Sequence, residues 1–364
     1  MKHSARPHLP PEALAKNSVA DAAADDDFRP TASWRNLRLR AALLRKVREF
    51  FDGHGFLEVE TPILSADTVV DRHLDPFKVV AEGEGDSPIL PAAKSGQSPQ
   101  QRLWLQTSPE FCMKRLLAAG VNQADAAGAV YQITRAFRRD EFGPLHNPEF
   151  TIVEWYRTGD DMAAGMQLTA ELCEATLQRG PAQQISYRAA FQQHAGLDPH
   201  TADVSTLAAK AKEFNIQPPA GISADDRDGW LDLLLVERVQ PHLGVERPVL
   251  LFDYPATQAA LARISADDPP VAQRFELYVD GIELANGYRE LLDADELLRR
   301  NRQVNAQRLA DGKPTLPEQS RLLAAMQSGL PPAVGVALGF DRLVMLAAGA
   351  KHLAEVIAFP LDRA

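Results

Sequence analysis

Gly335-Val336-Ala337-Leu338-Gly339-Phe340-Asp341-Arg342 lies inside the most apolar window of the chain, residues 334–350, and breaks it with a charged pair. A membrane span would carry Asp341 and Arg342 into hydrocarbon at about 2.5–3.5 kcal/mol each, so the window is expected to be a buried helix of a globular protein. An arginine in apolar surroundings needs an anion. That anion is either a phosphate gripped by two parallel N–H donors or a structural partner, for which Asp341 is the neighbour at hand. A second arginine block, Phe137-Arg138-Arg139-Asp140, stands far upstream. Guanidinium stays charged at working pH, so Arg138 and Arg342 together form a candidate triphosphate clamp. Either arginine alone more often serves a solvated surface.

The rest of the composition narrows the class. The 364 residues are 45% hydrophobic and 24% charged, proportions of a soluble globular chain able to bury a large core. A formal net charge of −10 disfavours nonspecific attachment to nucleic acid, which draws on clustered Lys and Arg. Cys112 and Cys173 lack metal-ligand spacing, which argues against a zinc site or disulfide framework and fits the cytoplasm. Residues 1–33 hold charges, prolines and an Ala/Asp run without an apolar signal core. They are expected to be a mobile N-terminal extension.

Organised sequence is expected from Trp34. Leu37, Leu44, Val47 and Phe51 share a helical face that Gly53 and Gly55 terminate. Residues 56–60 read as a strand stopped by Pro62, since proline cannot donate to a ladder. Residues 81–101, rich in Gly, Ser, Pro and Gln, read as an exposed loop. Strands are predicted at 103–106, 130–133 and 150–155, a helix at 111–119, and mostly helices over 160–245, with 231–239 among them. Residues 275–279 and 282–285 form a hairpin around Asp280-Gly281. Such irregular strand spacing favours a mixed or antiparallel sheet covered by helices over a regular βαβ series.

Several polar residues have competing readings. Glu283 and Glu290 flank Asn286-Gly287-Tyr288 and suit Mg²⁺ with phosphates, an ammonium group, or a plain solvated sheet face. In Thr107-Ser108-Pro109-Glu110 the plainer reading is a helix start, with Ser108 as cap, Pro109 at the first position and Glu110 favoured by the dipole. Gly335 and Gly339 permit close backbone approach, but their spacing matches neither a P-loop nor a dinucleotide fingerprint. His146-Asn147-Pro148-Glu149 reads as a turn entering a strand, with His146 at the surface or packing in the turn.

Taken in order, these segments resemble the three motifs of class II aminoacyl-tRNA synthetases, closest to the lysyl branch. The helix and strand ending at Pro62 resemble motif 1, which forms a dimer interface in that family. Phe137-Arg138-Arg139-Asp140, the loop after it and His146-Asn147-Pro148-Glu149-Phe150-Thr151 resemble motif 2, and residues 335–345 resemble motif 3. Thr107 to Glu110 and the run from Gly281 to Leu291 are similar to further lysyl-branch segments, so the likeness covers residues 34–364. It implies one α+β catalytic domain over 34–364, an antiparallel β-sheet flanked by helices, that uses ATP and Mg²⁺. By the same likeness Arg138 meets the α-phosphate and Arg342 the γ-phosphate as the catalytic pair. Arg139, Asp140 and Gly339 complete the ATP site, with Asp140 on the adenine side where the family usually has Glu. Glu283 and Glu290 hold Mg²⁺, the substrate's amino end, or both. Ser108, Pro109, Glu110, Asn147, Tyr156, Leu284 and Ala337 line the amino-acid site.

A lysyl-tRNA synthetase carries an anticodon-binding barrel before motif 1, and residues 1–33 are too few for such a five-stranded fold. The chain therefore resembles the stand-alone group that activates lysine or (R)-β-lysine and transfers it to a lysine of elongation factor P. Leu353-Ala354-Glu355-Val356-Ile357-Ala358-Phe359 and Asp362-Arg363-Ala364 carry that likeness. It implies a cytoplasmic homodimer without stable tRNA binding or membrane attachment. A truncated lysyl-tRNA synthetase and a noncatalytic regulatory paralogue are the alternatives. Ala337 stands where the lysyl enzymes usually have Gly, and its methyl is expected to narrow the pocket and disfavour α-lysine.

Overall fold

The computed structural model describes residues 28–80, 103–121, 123–219 and 222–364. The loop expected at 81–101 and most of the expected extension lie outside the described residues. The body begins before Trp34. Thr31 donates its N–H to the Ala358 carbonyl at 2.9 Å and its hydroxyl to that of Ile357 at 3.0 Å, and Ala32 is buried. Residues 31 and 32 are thus tied to the folded body.

Helix α1 (Trp34–Gly53) starts where the Ser33 hydroxyl accepts the Asn36 N–H, and the chain turns away after it at Gly55, φ +74°. Its buried stripe is Leu43, Val47 and Phe51, with Leu37 and Leu44 half-buried beside it. Then come β1 (Leu57–Glu58), β2 (Leu64–Ser65), β3 (Lys78–Val79), β4 (Leu103–Leu105), α2 (Glu110–Gly120), β5 (Ala129–Phe137) and β6 (Glu149–Thr158). The middle of the chain forms α3 (Met162–Leu177), β7 (Gln183–Ser186), α4 (Tyr187–His194), α5 (Val204–Glu213) and α6 (Arg227–Leu234), which runs on as a π-turn, Leu235–Val239. The chain closes with β8 (Val249–Pro255), β9 (Val271–Val279), β10 (Ile282–Arg289), α7 (Ala294–Ala310), α8 (Arg321–Gly329), β11 (Ala333–Gly339) and α9 (Phe340–Ala348).

Eight strands make the main sheet in the order β1-β5-β6-β11-β10-β9-β8-β7, antiparallel except for the parallel outer pairs β1–β5 and β7–β8. The antiparallel sheet flanked by helices expected from the sequence is thus present. The apolar window 334–350 is not one helix: its first part is β11 at the sheet centre, and Gly339 leads into α9. A strand hydrogen-bonded on both edges and covered on its faces reads as a continuous apolar run, which periodicity cannot tell from a buried helix.

Alternation in the central strands builds two environments. Val153 and Trp155 of β6, with Val334, Val336 and Leu338 of β11, point into the main core with Val47 and Phe51 of α1, Leu172 of α3 and Phe340 and Val344 of α9. The intervening residues Glu154 and Tyr156 of β6 and Gly335, Ala337 and Gly339 of β11 face a cavity on the other side. Cross-strand register lines up Glu154, Ala337 and Asn286 in one row and Tyr156, Gly335 and Tyr288 in the next. In β10 the register shifts between Glu283 and Ala285, so Leu284 is an extra residue that re-aims Glu283 toward the cavity.

Candidate active site

The cavity, ≈ 200 Å³ in volume, is lined by both arginines and carboxylates. Arg138 follows the last residue of β5. Its guanidinium lies 4.9 Å from the Phe150 ring centroid, 3.4 Å from the Thr107 carbonyl and 3.6 Å from Glu141. Arg342, in the first turn of α9, donates to the Glu283 carbonyl at 2.8 Å and the Leu145 carbonyl at 3.3 Å, and sits 2.8 Å from Nε2 of His146. Asp341 is not its partner: it pairs with Arg40 at 2.6 Å and accepts the Thr151 N–H at 2.8 Å. Adjacent residues on a helix point to different sides, so a sequence neighbour is a poor guess for a salt bridge. Arg138 and Arg342 both line the cavity.

Three ATP-site expectations fare differently. Gly339 borders the cavity, and a Cβ there would reach only Arg342 side-chain carbons at 3.6 Å, an ordinary contact. Arg139 and Asp140 do not line it; they pair with each other at 3.2 Å, about half exposed. Backbone bonding explains this, because the Arg139 N–H is tied to the Asp75 carbonyl and the following turn carries both side chains outward. His146, expected at the surface or in turn packing, instead borders the cavity beside Arg342.

The helix start at 107–110 falls one residue later than the local reading has it: Pro109, not Ser108, holds the capping position of α2, and the Ser108 hydroxyl accepts the Glu110 N–H at 3.1 Å in the turn before it. The same hydroxyl also donates to Glu154 at 2.6 Å, and Tyr156 donates to the other oxygen of Glu154 at 2.6 Å. Glu110 pairs with Lys114 one helical turn on at 2.5 Å, and Lys114 also pairs with Glu290, which is 1% exposed. Gly335 makes this possible: a Cβ there would stand 2.2 Å from both Glu290 Oε1 and Tyr156 Cε1. Asn147 borders the cavity, but its amide is committed to backbone, donating to Glu149 at 2.6 Å and accepting from Leu361 at 3.0 Å. Leu284 and Ala337 line the cavity, whereas Pro109 does not.

Burial and then the neighbouring Glu110 push the Glu154 carboxyl up to about 7, against its hydroxyl donors. Burial opposes the charge on Lys114, but Glu110 and Glu290 outweigh it and hold the ammonium well above the ordinary lysine range. Glu290 is pushed upward by burial, with Lys114 opposing and Glu110 adding to the shift. Glu283 and Glu290 have different cationic partners. Glu290 is neutralised by an ammonium, while Glu283 approaches Arg342 at 3.9 Å. Of the two, Glu283 is the one beside an arginine of the candidate phosphate clamp, and Mg²⁺ binds through one or two carboxylates plus substrate phosphates. Among the described residues no group of three or more His, Cys, Asp or Glu side chains could hold a metal by itself.

Sequence reasoning passed over Glu154 and Lys114. Each left a trace: Glu154 is the one acid within Phe150-Thr151-Ile152-Val153-Glu154-Trp155, and Lys114 stands four residues after Glu110 on an apolar helix. No helix among the described residues is long and apolar enough to cross a membrane.

Known proteins resemble this chain over most of its length. The chain is 46% identical over 337 residues to the elongation factor P–(R)-β-lysine ligase of Salmonella arizonae, covering 93% of this chain and 98% of that protein. It is 47% identical, with the same coverage, to the proteins of that name from Salmonella dublin and Salmonella paratyphi B. The family model for class II tRNA synthetases (D, K and N) matches residues 26–363. The chain belongs to the class II tRNA synthetase family, in its D, K and N group.

Proposed function

We propose that this protein activates (R)-β-lysine or lysine with ATP as an aminoacyl-adenylate and passes the acyl group to a lysine side chain of elongation factor P. The observation that carries the reading is one cavity lined both by Arg138 and Arg342 and by the carboxylates Glu110, Glu154 and Glu290. Guanidinium groups suit phosphate oxygens, and buried carboxylates suit the two ammonium groups of a lysine-type substrate. The names of the relatives supply the acceptor.

In the first half-reaction a substrate carboxylate oxygen attacks the α-phosphorus, and the bond to pyrophosphate breaks. Arg138 steadies charge on the α-phosphate, while Arg342, backed by His146, grips the outer phosphates. Bound at Glu283, Mg²⁺ would neutralise charge on the leaving pyrophosphate. Glu154 and Glu290 hold the amino groups and fix the substrate for in-line attack. In the second half-reaction a lysine ε-amine, deprotonated from its usual pKa of about 10.4, attacks the adenylate carbonyl and AMP leaves. Ala337 lies between Glu154 and Asn286 in the cross-strand row, so its methyl borders the place where an amino group is held. Ala337→Gly is expected to shift preference toward α-lysine, read as the ratio of kcat/KM for the two isomers.

The test is incubation with ATP, Mg²⁺, α- or β-lysine, and either elongation factor P or tRNA. A mass gain of one lysyl group on the factor is expected. Charged tRNA with an unmodified factor would overturn the reading in favour of a tRNA synthetase, and absence of any adenylate would favour a noncatalytic paralogue.

A further inference from the structure

We infer that Lys114 is a positioning residue that sets the charge of the amino-acid pocket, making it a receptor for a dication; the inference rests on the function proposed above. Lys114 does not line the cavity, whereas its partners Glu110 and Glu290 both do. Its side chain is 2% exposed and lies behind the pocket wall, with Nζ 6.0 Å from the Tyr156 ring centroid. It therefore acts on substrate only through the two carboxylates.

Charge arithmetic gives the role its content. Glu110, Glu154 and Glu290 bring three potential negative charges, and Lys114 cancels one. Two remain once all three acids are ionised, the form that ammonium groups bind, and they match the two ammonium groups of lysine or β-lysine. Burial already pushes Glu154 and Glu290 upward with Lys114 in place; without it three buried carboxylates would face one another and hold their protons to still higher pH. A protonated acid holds an ammonium poorly, so the pocket would lose its match to a dication. Glu290 has no alternative seat, because Gly335 and Tyr156 close around its carboxylate.

Lys114→Met preserves length and removes the charge. The assay is lysine-dependent ATP–pyrophosphate exchange at several pH values, with the melting temperature recorded in parallel. The KM for the amino acid is expected to rise by about thirtyfold or more near neutral pH, with the KM for ATP changed little. Raising the pH should recover much of that loss as the carboxylates ionise, a trend the unaltered protein does not share to the same degree. Lys114→Arg, which restores a cation, should bring the KM back toward its original value. Should Lys114→Met fail to melt cooperatively, Lys114→Gln carries the same reading, since it keeps a donor toward both carboxylates. A folded neutral variant with an unchanged KM for lysine, or one whose loss ignores pH and falls equally on ATP, overturns the inference. If the unaltered protein itself shows no lysine-dependent exchange, it is the proposed function that fails.

Discussion

Glu154 is held by hydroxyls, not by a cation: Ser108 and Tyr156 donate to its two oxygens, and burial raises it to about 7. A carboxyl whose folded pKa exceeds its unfolded value binds more protons when folded. Its contribution to stability therefore falls as pH rises from the ordinary carboxylate range through about 7. An ammonium ligand reverses this by pairing with the ionised form. The rise in melting temperature caused by lysine is therefore expected to be larger at about pH 8 than at about pH 6, and equal rises would remove Glu154 from the ammonium seat. Arg138→Ala and Arg342→Ala should each reduce pyrophosphate exchange by about a hundredfold or more; near-normal exchange in either would strip it of its role. Arg342 was legible in the sequence because guanidinium in apolar company demands an anion, and Arg138 because its block resembles motif 2. Glu154 and Lys114 were not, because an isolated acid in a strand and an i,i+4 pair on a helix are commonplace until their partners are known.

At the scale of elements, the site depends on alternation in β6, β11 and β10. Gly335, Ala337 and Gly339 face the cavity while Val334, Val336 and Leu338 face the core. Gly335→Ala would drive a methyl into Glu290 and Tyr156. It should destabilise the protein by about 1–3 kcal/mol, read as a lower urea midpoint, and raise the KM for lysine more than that for ATP. The residues 334–350 misled periodicity for a physical reason: a central strand and the helix after it are both apolar on every side. The hairpin at 275–285 was recognisable from Asp280-Gly281, whereas the bulge at Leu284 was not, because a register shift leaves no mark in one strand's sequence. β7 was likewise missed, being four residues of mixed polarity, Gln183–Ser186, among helices.

At the scale of the whole molecule, the sheet ends in β1, a two-residue edge strand with Leu57 54% exposed and Ile63 and Leu64 each 40% exposed nearby. These residues belong to the segment that resembles motif 1, and grouped apolar exposure marks association surfaces. We propose that they face a second copy. Sedimentation is expected to give a dimer, and Leu57→Glu a monomer with weakened exchange; a monomeric unaltered protein would refute this. The order of the motifs, the two arginines, a helix beginning near Pro109 and the acid pair around Asn286-Gly287-Tyr288 could all be read along the chain, since each depends on residue type and local spacing. Which acids serve an ammonium, which one approaches Arg342, and why Arg139 and Asp140 turn away could not. Those relations arise from cross-strand register and helix packing, which bring the Glu110–Lys114 pair, Glu154 and Glu290 together from three separate stretches of chain. Charge in a buried site is set by such neighbours, and neighbours in space are fixed only when the sheet closes.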